Sequence, residues 1–104
     1  MSNDSPKHVM PKRTVTLPLP EPYQDFTATL WVNIPQQLWR EMMGTDIEAC
    51  AAAFGKMVVS HDLCDFDGAP YPPGGSPDLY RELPAELVRV INDLRVGQIG
   101  KLSK

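Results

Sequence analysis

Cysteine is scarce, cations are outnumbered and no long apolar run occurs. Cys50 and Cys64 are the only cysteines, so the chain has no framework of several disulfides like those that staple small secreted domains, and the thiols are expected to be reduced and cytosolic. Lys plus Arg number 10 against 13 Asp plus Glu, a net charge of −3. Such a surface lacks the clustered cations that displace counterions from a phosphate backbone, so no nucleic-acid partner is expected. The longest apolar run, Ala49 to Phe54, is mostly alanine, whereas a bilayer span needs about twenty apolar residues. No membrane partner is expected. The opening Met1 to Pro11 has no apolar stretch behind its charges, so no secretory signal is expected.

The residues that would carry chemistry are also missing partners. His61 and Cys64 stand three apart, but a zinc site takes four ligands, usually two such pairs. The remaining candidates, His8 and Cys50, fall in a tail and on an apolar helix stripe. Placing Gly68 at the sixth position of a calcium loop puts Leu63 first and Gly74 twelfth, where carboxylates are required. Pro73-Gly74-Gly75-Ser76 lacks the lysine of a phosphate-cradling loop. Aspartates flank Cys64 and favour its neutral thiol over a nucleophilic thiolate. Asp62, Asp65 and Asp67 then read as turn-making and solvating residues. The expectation is a protein that is not an enzyme, with no catalytic residue, no metal and no cofactor.

What is present is one small domain. A chain of 104 residues supports a single modest core. Its 11 prolines are about twice the usual share, which predicts broken elements and loops. Val15, Leu17 and Leu19 alternate with polar residues or proline, and so do Phe26, Ala28, Leu30, Val32 and Ile34. Period two predicts two strands across residues 12–34, with Phe26 to Ile34 lining the core face. Pro18 removes a ladder donor and places the first strand at an edge. Trp31 then shares the other face with Thr27, Thr29 and Asn33.

Pro35 opens a short helix, Gln36 to Met43, with Leu38, Trp39, Met42 and Met43 on one side, and Gly44 stops it. Thr45-Asp46-Ile47-Glu48 reads as a capping box for a second helix to about Val58. Its predicted buried stripe is Ile47, Cys50, Ala51, Phe54 and Val58. Gly55 weakens that helix by about 1 kcal/mol unless a close packing contact needs the gap. Met57 to Ser60 reads either as the helix end or as a brief extended piece. Residues 62–78 are irregular. A first turn, Asp78 to Leu83, precedes Pro84, which restarts a helix to about Leu94 with Leu83, Leu87, Val90, Ile91 and Leu94 on one face.

The expected fold is α+β, an N-terminal two-stranded antiparallel hairpin packed against three or four short helices. A flexible tail spans 1–11, the domain 12–95 and a fraying tail 96–104. The aromatic residues serve as core and lid, or some of them form a protein-binding surface. Trp31 best fits the second use, because a tryptophan on a polar strand face suits an interface anchor.

The order of these pieces resembles a known family. A hairpin with Arg13-Thr14-Val15-Thr16-Leu17 and Thr27-Ala28-Thr29-Leu30-Trp31-Val32 comes first, then short helices. Next comes the loop Asp65-Phe66-Asp67-Gly68-Ala69-Pro70, and last a leucine- and proline-punctuated helix from Leu79 to Leu87. This is similar to the small tail assembly chaperones of long-tailed (siphovirus-type) bacteriophages. The resemblance implies a non-catalytic protein of the host cytoplasm that binds the tape measure protein during tail assembly and often self-associates as a homo-oligomer. The expected partner-binding residues are Trp31, Trp39, Met42 and Met43, in one groove. Methionine is unbranched and suits degenerate partner sequences. Two alternatives stand beside it: a small structural tail or head–tail connector subunit of the virion, and a small regulatory or catalytic domain using the acidic loop.

Overall fold

The computed structural model describes residues 9–102, with side-chain surroundings for residues 9–98. Three strands and four helices follow one another: β1 Thr14–Pro18, β2 Thr27–Trp31, α1 Gln36–Met43, α2 Ile47–Met57, β3 Val58–His61, α3 Pro77–Glu82 and α4 Ala85–Leu102. The α+β mixture is as expected, but the hairpin is extended to a three-stranded antiparallel sheet of order β1-β2-β3.

β2 is central because it is the strand with the regular apolar face. Ala28, Leu30 and, just beyond it, Val32 are all under 5% exposed. Phe26 and Ile34, at the ends of that face, are half-buried. β1 is an edge strand, and Pro18 ends it opposite Thr27. On the outer face Thr16 Oγ1 and Thr29 Oγ1 are hydrogen-bonded at 2.7 Å, a cross-strand pair that helps fix the register. The Met57–Ser60 ambiguity resolves as strand. Leu30 pairs with Val58 and Thr29 with Ser60, so the ladder shifts there and leaves Val59 as an extra, partly exposed residue.

The helices differ from the sequence reading at their ends. Pro35 is the N-cap of α1, with extended ψ 150, and supplies no side-chain cap. Asp46, not Thr45, caps α2: its Oδ1 accepts from Glu48 N and Ala49 N at 3.0 and 3.3 Å. The expected capping box is therefore one residue out of register, because a carboxylate at the next position reaches the same free donors. Ile47, expected in the buried stripe, is 68% exposed at the start of α2. Val58 is buried from β3 and not from the helix. α4 continues past Leu94 to Leu102, through most of the segment expected to fray.

α2 carries much of the packing. Cys50 is buried, and its Sγ lies 3.1 Å from Glu41 O and 3.3 Å from Gly44 O. The thiol thus lies against the carbonyls of the turn from α1 to α2. Gly55 lies against the start of α3: Gly75 N donates to Gly55 O at 2.7 Å. A Cβ at Gly55 would stand 2.5 Å from Ser76 O, so the gap is required. Phe54, Met57, Leu63, Leu79, Leu87 and Ile91 join the sheet face in one core.

Candidate protein-binding site

The end of β2 is the centre of the site. Asn33 organises it: its Oδ1 accepts from Arg13 N at 2.8 Å and Trp31 Nε1 at 2.9 Å, and its Nδ2 donates to Pro11 O at 2.8 Å. One amide thus ties the segment before β1 to the sheet and orients an indole. Trp31 stays half-buried on the outer face, as its alternation implied. Lys12 Nζ sits 4.4 Å from its ring centroid, a cation–π distance.

Two clefts adjoin here and share Asn33 and Ile34. One, of about 500 Å³, is lined by Met10, Pro11, Lys12, Trp31 and Pro35. The other, of about 410 Å³, is lined by Val32, Gln36, Trp39, Arg95 and Val96. Met42 and Met43 line neither. They border a third cleft of about 210 Å³ with Cys50, Phe54, Tyr80 and Asn92. The single groove expected from Trp31, Trp39, Met42 and Met43 is therefore divided. The two α1 clefts meet different turns of α4: Arg95 and Val96 line the first, Val88, Arg89, Asn92 and Asp93 the second. Met43 is 61% exposed, whereas Met42 packs partly on the core.

Arg95 is the residue that the sequence reading missed. It is 1% exposed, yet only Nη1 has a partner, Val32 O at 3.4 Å. Its Cζ lies 4.6 Å from the Trp39 ring centroid. Nε and Nη2 are buried without a hydrogen-bond partner, and so is Asn92 Oδ1. Burial pulls the guanidinium pKa down, but arginine remains charged in proteins. The signal was available: Leu87, Ile91 and Arg95 recur at i, i+4 and i+8, so Arg95 lies on the buried stripe. Asn33 was legible only as a polar residue beside Trp31.

The acidic loop is occupied with its own backbone. Asp65 Oδ1 accepts from Asp67 N and Ala69 N, each at 2.9 Å, and Asp65 N donates to Ala69 O at 2.7 Å. Gly68 provides the turn with φ +87. His61 Nδ1 accepts from Leu63 N at 2.9 Å, so Nε2 carries the proton and donates to Pro72 O at 2.7 Å. Cys64 Sγ faces Asp62 O instead of the imidazole. Phe66, at the loop tip, is 92% exposed. Among the described residues no group of three or more His, Cys, Asp or Glu stands ready to hold a metal ion. No helix among them is long and apolar enough to cross a membrane. Compared with known proteins, the chain matches no family model, no curated protein and no solved structure.

Proposed function

We propose that the chain is a non-catalytic tail assembly chaperone of a long-tailed phage, working in the host cytoplasm by holding an apolar segment of the tape measure protein. The observation that carries the protein-binding part is the pair of adjoining clefts at the end of β2, each walled by a half-buried indole beneath a cation. Indoles placed this way offer a large apolar area to a partner at little entropic cost. Met43 and Ile47, both more than 60% exposed, add apolar surface around the corner from α1 to α2. The order of hairpin, short helices, acidic loop and final helix supplies the phage part of the proposal.

The test is co-expression with a tape measure protein from the phage that encodes the chain. A soluble complex that co-elutes is expected, and replacing Trp31 and Trp39 together by alanine weakens it. Co-elution no better than with an unrelated helical protein contradicts the proposal. Mass spectrometry of purified particles separates the chaperone from a structural tail subunit, because the chaperone is absent from the finished virion.

A further inference from the structure

We infer that the Arg95 cleft selects a polypeptide segment carrying a carboxylate flanked by apolar side chains, and that this carboxylate pairs with Arg95. The inference rests on the cleft being a polypeptide site and adds the chemistry it accepts.

Charge points the same way in both clefts. The chain is acidic overall, at −3, yet the residues lining the two clefts include Lys12 and Arg95 and no carboxylate. Arg95 has the more specific geometry. Nη1 is taken by Val32 O, which leaves Nε and Nη2 without partners. These two nitrogens lie along one edge of the planar guanidinium, and their N–H bonds run parallel. That is the edge a carboxylate grips with both oxygens. A buried cation with two free donors is costly to the folded chain, and an incoming carboxylate removes that cost.

The surroundings define the rest of the ligand. Val32, Ile34 and Val96 wall the Arg95 cleft, so the carboxylate arrives with apolar neighbours. The second cleft shares Asn33 and Ile34 with the first and ends at Trp31 and Lys12. Nε and Nη2 are closed to water in the free chain, and the Trp39 indole covers the guanidinium face. Binding therefore moves the indole or the guanidinium, and both report it.

The experiment titrates the full, ¹⁵N-labelled chain with a synthetic amphipathic peptide that has leucines on one face and a single central glutamate. The twin peptide has glutamine at that position. The glutamate peptide is expected to shift the Arg95 Nε–H and Trp39 indole N–H resonances and to bind at least about tenfold more tightly than its twin. Arg95→Met abolishes that preference, and Arg95→Lys, which keeps the charge without the fork, reduces it. Equal affinities for the two peptides, or no response at either resonance, overturns the inference, and this comparison needs only the wild-type chain. If Arg95→Met captures the tape measure protein as well as wild type does, the carboxylate inference falls and the holding role stands. If the wild-type chain captures no tape measure protein but prefers the glutamate peptide, the phage role falls and the inference stands.

Discussion

Two glycines in helices make opposite predictions when changed to alanine. Gly55 lies inside α2, and in an open helix alanine there would gain about 1 kcal/mol. Here the new Cβ would stand 2.5 Å from Ser76 O, 2.8 Å from Ser76 C and 3.2 Å from Pro77 N. All three are backbone atoms at the start of α3, so relief requires α3 to move away from α2. That displaces Leu79, which is fully buried, and stretches the bond from Gly75 N to Gly55 O. Overpacking a tight contact costs about 1–3 kcal/mol, and where backbone meets backbone the upper part of that range applies. After the propensity gain, Gly55→Ala loses about 1–2 kcal/mol, or roughly 4–15 °C in melting temperature for a domain of this size. Gly97 is an exposed α4 residue whose Cβ would meet nothing within 4 Å. Gly97→Ala gains up to about 1 kcal/mol. Thermal unfolding followed by circular dichroism measures both. A Gly55→Ala chain as stable as wild type refutes the packing argument, and a Gly97→Ala chain with no gain refutes a stable helix beyond Leu94.

Three further outcomes follow from the hydrogen bonds. Asp46→Ala costs about 1 kcal/mol in urea unfolding and Thr45→Ala almost nothing, because Asp46 makes both cap bonds; the reverse ranking would restore the capping box. His61→Ala removes the two bonds that tie β3 to the following loop and costs about 1–3 kcal/mol, with hydrogen exchange quickening at Leu63 N–H; an unchanged exchange rate there contradicts the bond. Tyr23 and Tyr71 ionise above the ordinary tyrosine value of about 10, Tyr23 chiefly because its hydroxyl donates to Glu86 and Tyr71 chiefly because it is buried. The folded chain therefore holds both phenolic protons more tightly than the unfolded chain. Their contribution is fully present below about pH 10 and is lost as the pH rises above it. Tyr23→Phe lessens that alkaline loss in denaturant titrations, and an identical pH profile contradicts the Glu86 contact.

Local chemistry was the most readable part of the fold. The β2 core face, the edge position of β1 and the Pro84 restart follow from period two, a missing proline donor and proline geometry, all properties of a few adjacent residues. The third strand was ambiguous because Val58 to His61 offers only four residues directly after a helix, too few to show a period. Ile47 was misplaced because a three- and four-residue spacing defines a stripe but not how far the partner surface extends along it. Trp31 and Trp39 were singled out from residue type and face, and each lines a cleft. The separation of the Trp39 cleft from the Met42 and Met43 cleft depends on which turn of α4 lines each one, which is a tertiary property. Arg95 was overlooked because charged residues are almost never fully buried. That rarity is what marks it once the structure shows its unpaired donors.

The most direct test of the groove places a photo-crosslinking amino acid at Val96, which lines the Arg95 cleft and is 42% exposed, in a chain co-expressed with the tape measure protein. Illumination is expected to give a covalent adduct with the tape measure protein from Val96 and none from Lys56, an exposed α2 residue that lines neither cleft. An adduct from Lys56 without one from Val96, or none from either in a complex that co-elutes, contradicts the account.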